Sequence, residues 1–153
     1  DRASEERAEA EYIAPVVLAC MNMARKKTGA LIAVQGLSDL TPYQHAGERF
    51  LASVNARLIE TIFFKNSPLH DGAMIIAGGK ICAAGCILPV ASNTDLNKDL
   101  GLRHRSALGL SQQTDAKVII ISEERGTISL AYRSEIIVDI TPDELRALLS
   151  SED

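Results

Sequence analysis

The sequence lacks several patterns that mark common classes of protein. No run of about eighteen apolar residues occurs, so no membrane-spanning segment is predicted. The formal net charge of -4 argues against a general affinity for DNA or RNA, and no nucleic-acid partner is expected. Only three histidines are present, too few for a metal phosphohydrolase that uses several histidine ligands.

The cysteines also lack the spacing of a metal or redox site. Cys20, Cys82 and Cys86 form no CxxC pair, and each lies among apolar residues. We therefore predict three reduced, buried thiols with structural roles, as in a cytosolic protein.

The composition is that of an ordinary globular domain. The 153 residues are 46% hydrophobic and 24% charged, and no repeat, low-complexity tract or linker divides them. We predict a single domain over residues 1–153. Because the sequence begins at Asp1 in a charged stretch and not at a methionine, we expect a fragment of a longer protein whose N-terminal region, including any membrane anchor, is missing.

The hydrophobic pattern predicts helices and strands that alternate along the chain. Helices are expected at 4–27, 54–64, 106–113 and 142–150, and strands at 30–34, 48–52, 73–77, 80–88, 117–122, 127–132 and 135–140. Gly78 and Gly79 indicate a tight hairpin. Mixed hairpins and helical crossovers predict an α/β fold with a mixed parallel and antiparallel sheet of six to seven strands, flanked by helices on both faces.

Three polar residues are expected to start helices. Ser4 and Ser53 are candidate N-caps of the first two helices. Thr141 and Glu144, with proline between them at the first helical position, form a capping-box sequence before the last helix.

The first motif with a chemical implication is His70 followed by Asp71 and Gly72. A histidine and a carboxylate side by side on a tight glycine turn are able to hold a divalent cation. The glycine lets another backbone or a ligand approach closely. The alternative is that Asp-Gly is simply a common turn pair.

The second motif is the basic segment Arg103, His104 and Arg105. If the segment is helical the two arginines lie about 200° apart, so they would grip different phosphates. Gly101 before them and the helix after them offer free backbone N–H groups to an anion. A solvated loop is the alternative.

Together the two motifs predict a metal and polyphosphate site, since a basic clamp in an acidic protein suits a small anionic ligand. Glu123 and Glu124 are interpreted as part of a hairpin turn, or as a second metal or general-base group. His45 lies in a polar segment, is expected to be exposed, and has no assigned role.

The order of these motifs resembles the diadenylate cyclase domain, whose members join two ATP molecules into cyclic di-AMP. The resemblance covers residues 29–131 and rests on five segments: GALI at 29–32, NSPLHDGA at 66–73, LGLRHR at 100–105, TDA at 114–116 and SEE at 122–124. The DGA and RHR segments in this order are its most specific part.

The resemblance implies a role for each site residue. It implies catalytic roles for Asp71, Gly72, Arg103, His104 and Arg105. It implies nucleotide binding by Gly72, Ala73, Leu88, Gly101, Leu102, Arg103, His104, Arg105, Ser122 and Glu123. It implies that His70, Asp71 and Glu124 hold Mn²⁺ or Mg²⁺.

The family also implies the reaction and the assembly. The metal and Asp71 would activate a ribose 3'-hydroxyl for in-line attack on the α-phosphate of the other ATP, while cations offset the charge on departing pyrophosphate. Two half-sites would have to meet face to face in a homodimer. The resemblance is strongest to the membrane-tethered bacterial branch, which implies a cytoplasmic domain attached through the missing N-terminal region.

Two residues depart from the family pattern. Leu102 stands where threonine is often found, and Ile87 stands where many members have an aromatic residue able to stack on adenine. These departures leave a second hypothesis open, a catalytically weak module that binds ATP or a cyclic dinucleotide. The retained Asp71, Arg103 and Arg105 favour the enzyme.

Overall fold

The computed structural model describes residue 3, residues 11–92 and residues 100–151. In chain order its helices are α1 (Ile13–Lys26), α2 (Thr41–Gln44), α3 (Ala56–Phe63), α4 (Leu102–Gln113) and α5 (Pro142–Ser150). Its strands are β1 (Ala30–Val34), β2 (Glu48–Ser53), β3 (Ala73–Ala77), β4 (Lys80–Cys86), β5 (Lys117–Ile121), β6 (Ile128–Tyr132) and β7 (Glu135–Ile137). Among these residues, every helix is too short or too polar to cross a membrane.

All seven strands form one mixed sheet in the order β2-β4-β3-β1-β5-β6-β7. In the described part of the chain, β1 and β3 run parallel and every other neighbouring pair is antiparallel. The predicted mixed sheet is confirmed. The hairpin at Gly78 and Gly79 is also confirmed, because both glycines have the positive φ angles, 59° and 73°, of a two-residue turn.

Helices cover both faces of the sheet, as predicted. Along β1 and β5, alternate side chains enter two separate cores, following the two-residue period of a strand. One core joins the sheet to α1, α3 and α5, and the other joins it to α4 and the start of α2. These two cores fix the sheet between its helical layers.

Two predicted helix starts are wrong. Ser53 is the last residue of β2 and pairs with Lys80, so it is not free to cap α3; Asn55 does so by accepting the backbone N–H of Leu58 at 2.8 Å. Helix α4 begins at Leu102, not at Ser106, with Gly101 as its N-cap. The predicted cap Ser4 lies outside the described residues.

The predictions for the C-terminal part of the chain are nearer to the structure. Glu144 and Thr141 form the predicted capping box, with N–H to oxygen distances of 2.9 and 3.1 Å. Strand β7 ends at Ile137, earlier than predicted, because the chain turns at Asp139, where φ is 55°, and Ile140 then bonds to Ile128.

The cysteine prediction is right for the oxidation state and partly wrong for burial. All three thiols are free. Cys20 and Cys86 are buried, whereas Cys82 is half-buried on β4 and contacts the carbonyl oxygens of Ala77 and Lys80. His45 is exposed, as expected.

The strand register brings the site segments to one edge of the sheet. Ala30 at the start of β1 lies opposite Ile121 at the end of β5, and Ala73 at the start of β3 lies opposite Cys86 at the end of β4. Because the sheet is mixed, this edge gathers the starts of some strands and the ends of others. The turns before β3 and after β5 are therefore neighbours in space.

Candidate functional site

A cavity of about 870 Å³ opens at this edge of the sheet, within the range of about 300–1,000 Å³ typical of ligand pockets. Its lining comes from segments that are far apart in sequence. They are residues 71–72, 86–88, 100–104, 121–125 and 138–139, with single side chains from Leu31, Val90, Ser106, Thr127 and Ser129. The structure thus brings the two predicted motifs and the predicted acidic turn into one place.

Asp71 and His70 are held side by side on the turn that precedes β3. The ring nitrogen Nδ1 of His70 lies 2.8 Å from the carbonyl oxygen of Ser67, and its Nε2 lies 3.2 Å from Oδ1 of Asp71. A carbonyl oxygen only accepts hydrogen bonds, so Nδ1 carries the proton. In the neutral ring, Nε2 then presents its lone pair towards a carboxylate oxygen.

Two acceptors at this separation need a positive group between them, either a proton or a metal ion. An imidazole nitrogen and a carboxylate oxygen suit a divalent cation such as Mn²⁺. Within residues 11–92 and 100–151, no group of three or more His, Cys, Asp or Glu side chains is placed to hold a metal ion. The pair therefore supplies two candidate ligands.

Gly72 is required by the backbone next to Asp71. Its φ angle is 96°, and an added Cβ would lie 2.7 Å from the carbonyl oxygen of Cys86. The sequence predicted that another backbone or a ligand would approach this glycine closely, and in the structure the backbone of β4 does so. Both readings of the Asp-Gly pair apply, since it is a turn and it also lines the cavity, with the Asp71 side chain 87% exposed.

Arg103 is held from two sides across the cavity. Its guanidinium group lies over Gly29, where an added Cβ would come within 2.5 Å of it, and its Nη1 lies 3.5 Å from Oε1 of Glu123. The side chain is only 28% exposed. These contacts explain the glycine of the GALI segment, a role that sequence reasoning missed because the packing joins distant residues.

His104 is buried and lines the same cavity. Burial lowers its pKa, and the nearby positive charges of Arg125 and Arg103 lower it further. At neutral pH the ring is therefore uncharged. It offers one donor and one acceptor, and adds no third positive charge.

Three predicted site residues do not line the cavity. Arg105 is half-buried on α4, and its carbonyl oxygen accepts the backbone N–H of Ala91 at 3.0 Å. Because α4 starts at Leu102, Arg103 and Arg105 point about 200° apart, as the helical alternative required. Ala73 is fully buried in β3, and His70 borders the site only through Asp71.

The turn between β5 and β6 contributes Ser122, Glu123 and Glu124, as predicted. It is also a hairpin turn, in which Gly126 donates its N–H to the carbonyl oxygen of Ser122 at 2.9 Å. The predicted nucleotide-binding residues Leu88, Gly101 and Leu102 line the cavity as well.

Several lining residues were not found from sequence. Arg125 follows the two predicted acids, and its place in the same turn was the available signal. Val138 and Asp139 carry no sequence signal, because only the pairing of β7 with β6 brings them to this edge. Ile87, Leu102 and Val138 are exposed and form an apolar rim.

A family model described as DisA bacterial checkpoint controller nucleotide-binding matches residues 17–136. A diadenylate cyclase of Listeria monocytogenes is 39% identical over 147 residues, which cover 96% of this chain and 54% of that protein. Cyclic di-AMP synthase CdaA of Bacillus subtilis is 36% identical, with the same coverage. The chain therefore spans about half the length of the curated relatives it matches.

Two solved structures share the fold. DacA from Staphylococcus aureus superposes with a TM-score of 0.90 and 38% identity, covering 94% of this chain and 96% of that one. A Bacillus cereus protein described as a hypothetical membrane spanning protein has a TM-score of 0.80 and 34% identity, covering 84% of this chain and 63% of that one.

Proposed function

The chain belongs to the diadenylate cyclase (DAC, DisA-like nucleotide-binding) family, and from this premise we propose that it condenses two ATP molecules into cyclic di-AMP and releases two pyrophosphates. One observation carries the proposal. A single cavity holds Asp71 and Gly72, the start of α4, and the turn at residues 122–124, three segments separated in sequence. The first offers a carboxylate, the second a cation and free N–H groups, and the third a hydroxyl and two further carboxylates.

The metal is assigned to the turn before β3. Members of the family generally use a divalent metal. His70 Nε2 and Asp71 Oδ1 would hold Mn²⁺ or Mg²⁺. Glu124 lines the same cavity but does not form a group of three with this pair among the described residues, so it would have to approach the pair to act as the predicted third ligand. When bound, the ion would lower the pKa of a ribose 3'-hydroxyl and neutralise phosphate charge.

The start of α4 is proposed to bind the phosphates. The backbone N–H of Arg105 is used by the carbonyl oxygen of Gly101, which leaves the N–H groups of the preceding first-turn residues available to an anion. Arg103 adds a fixed positive charge that offsets the negative charge on the leaving pyrophosphate. Neutral His104 contributes hydrogen bonds in place of a third cation.

The apolar rim is proposed to contact the adenine base. Ile87, Leu102 and Val138 expose hydrophobic surface where a stacking aromatic residue is absent. They supply apolar contact without ring stacking, so we expect adenine to be held less firmly than at a site with an aromatic residue.

Turnover is proposed to need two chains. Each chain offers one cavity of this kind, whereas the reaction requires two ATP molecules that each present a 3'-hydroxyl to the α-phosphate of the other. Two half-sites related by a twofold axis meet that requirement. The rate per chain should fall steeply on dilution, and a rate that stays constant down to a monomeric solution would contradict a shared site.

The native domain is proposed to face the cytoplasm and to be tethered to a membrane through an N-terminal region. The support is the likeness to the membrane-tethered branch and to a relative described as membrane spanning.

The deciding experiment is to incubate the chain with ATP and Mn²⁺ or Mg²⁺ and to measure cyclic di-AMP by mass spectrometry. We expect Asp71→Asn to reduce product by more than about a hundredfold, because the amide keeps the shape but loses the charge that holds the metal. Asp143→Asn, an exposed carboxylate on α5, is the matched control and should leave the rate unchanged.

The assay also separates the alternatives. ATP binding without cyclic di-AMP would favour the nucleotide-binding module that Leu102 and Ile87 leave open. Release of free phosphate in place of pyrophosphate would indicate a phosphohydrolase. Undiminished product from Asp71→Asn would overturn the proposed mechanism.

A further inference from the structure

The charges that line the cavity are unbalanced for a polyphosphate ligand. Among the described lining residues, four carboxylates, those of Asp71, Glu123, Glu124 and Asp139, face two guanidinium groups, those of Arg103 and Arg125. A metal held by Asp71 would offset part of this negative charge. The remaining attraction for phosphate comes from the N–H groups at the start of α4 and from the two arginines, so the position of Arg125 matters.

The backbone of Arg125 is firmly placed. Its N–H donates to Oγ of Ser122 at 3.2 Å, while the following Gly126 donates to the carbonyl oxygen of Ser122 at 2.9 Å. Gly126 has a φ of 66° and packs so closely on α1 that an added Cβ would lie 2.6 Å from the carbonyl oxygen of Ala24. The turn is therefore anchored at its base while the Arg125 side chain extends from it.

The side chain of Arg125 is available for a ligand. The residue is exposed, and within the part of the chain that the structure describes its guanidinium group makes no ion pair or hydrogen bond. Arg103, His104 and Arg125 all line the cavity, and the positive charges of the two arginines both lower the pKa of His104. Arg103 reaches the cavity from the start of α4, and Arg125 reaches it from the turn between β5 and β6.

Arg105, by contrast, does not line the cavity. The helical start of α4 turns its side chain about 200° away from that of Arg103. The segment that sequence reasoning treated as a clamp therefore supplies one cation to the cavity, and the turn between β5 and β6 supplies the other.

We infer that Arg125 is the second phosphate-binding cation of the site and takes the place predicted for Arg105. This inference rests on the proposed function, because the ligand is the polyphosphate of ATP. Arginine suits the task, since its planar fork bonds two phosphate oxygens at once. Arg103 is already held by Gly29 and Glu123, so it receives the phosphates in a fixed position, whereas Arg125 closes on them from the opposite turn.

The test compares three probes, namely ATP, inorganic tripolyphosphate and adenosine, by calorimetry without added divalent cation. We expect Arg125→Gln to weaken the binding of ATP and of tripolyphosphate by about tenfold each and to leave adenosine unchanged. Arg125→Lys, which keeps the charge but loses the fork, should recover part of the loss. Arg57→Gln, an exposed arginine on α3, is the control and should bind every probe like the wild type.

The results distinguish a failure of the role inferred for Arg125 from a failure of the proposed function. Binding of ATP and tripolyphosphate by Arg125→Gln within about twofold of wild type, in a variant with an unchanged melting temperature, would overturn the inference. So would a tenfold loss seen with Arg105→Gln and not with Arg125→Gln. Wild-type chain that binds ATP but forms no cyclic di-AMP with Mn²⁺ or Mg²⁺ contradicts the proposed function, while the binding comparison still decides the role of Arg125.

Discussion

The two walls of the cavity hold their charges in opposite ways. On the acidic wall, formed by Asp71, Gly72 and Cys86, the backbone is tightly fixed and the carboxylate side chain is 87% exposed. On the basic wall, formed by Gly101 to His104, the Arg103 side chain itself is fixed, only 28% exposed, between Gly29 and Glu123. Each wall depends on a glycine. Gly72 leaves room for the backbone of β4 at Cys86, and Gly29 leaves room for the Arg103 side chain.

The two walls should therefore respond differently to substitution. An exposed carboxylate on a rigid turn keeps its hydration until a metal or ligand arrives, so its position depends on backbone packing. A half-buried guanidinium group is preorganised at the expense of side-chain freedom. Changes to the tightly packed backbone of the acidic wall, at Gly72, should therefore lower stability, and changes to the packing around Arg103 on the basic wall should weaken ligand binding.

The largest effect is expected on the acidic wall with Gly72→Ala. The φ angle of 96° disfavours any L side chain, and the new Cβ would lie 2.7 Å from the Cys86 carbonyl oxygen. We expect the free energy of unfolding to fall by about 2–3 kcal/mol, measured by urea denaturation.

Gly78→Ala is the matched control for this substitution. Its φ angle is also positive, 59°, but nothing lies within 4 Å of the added Cβ. It should cost about 1 kcal/mol, the strain alone. Equal costs at the two glycines would show that contact with β4 adds nothing to the requirement at Gly72.

Gly29→Ala should act on the basic wall with a smaller effect on stability. Its Cβ would lie 2.5 Å from the guanidinium carbon of Arg103 and would displace this side-chain end from its position without displacing backbone. We expect the dissociation constant for ATP to rise by about tenfold while the melting temperature stays nearly constant. A large loss of stability with unchanged ATP binding would reverse the comparison between the walls.

The ionisation of His104 offers a subtler test of the basic wall. Burial, Arg125 and Arg103 lower its pKa below the ordinary value of 6.5, so Arg125→Gln should raise it, as followed by NMR titration. Arg57→Gln should not. Because the folded-state pKa is depressed, the contribution of His104 to stability is complete above about pH 6.5 and is lost as the pH falls through the folded-state pKa.

The smallest effect concerns the thiols. Burial raises the pKa of Cys20 to about 12 and that of Cys86 to about 11, whereas Cys82 is half-buried. Iodoacetamide should therefore label Cys82 first, and a Cys82→Ser variant should label slowly. Labelling of Cys86 as fast as Cys82, resolved by peptide mass spectrometry, would show that the acidic wall opens.

The sequence predicted the elements with clear periodicity or capping chemistry. The strand Ala30–Val34, the hairpin after β3 and the capping box at Thr141 follow from local rules, and the structure has all three. The start of α4 was missed because this helix is buried on most sides and includes small residues such as Ala107 and Gly109, so it shows no apolar stripe. Gly101 also provides no side-chain cap to mark its beginning.

The motifs that line the cavity could be recognised in the sequence, but the way they meet in space could not. Asp71, Arg103 and the turn at Ser122 are visible as motifs, and their meeting depends on the register of β1 with β3 and β5. Whether Arg105 faces the cavity depends on where α4 begins, and the sequence did not locate that start; Arg125 reaches the cavity from the separate turn between β5 and β6. Asp115 shows the same limit, since its carboxylate accepts the N–H groups of Leu37 and Ser38 at 2.8 Å and so fixes a loop instead of lining the cavity.

The hairpin at Gly78 and Gly79 is a suitable position for a label or a tether. All the cavity segments gather at one end of the strands, and β3 places this hairpin about 20 Å from Gly72, at the opposite end. A fluorophore, an affinity tag or a surface tether inserted there would leave the cavity unobstructed. Two chains carrying different labels at this turn could then be mixed and their pairing watched directly, without altering any residue of the site.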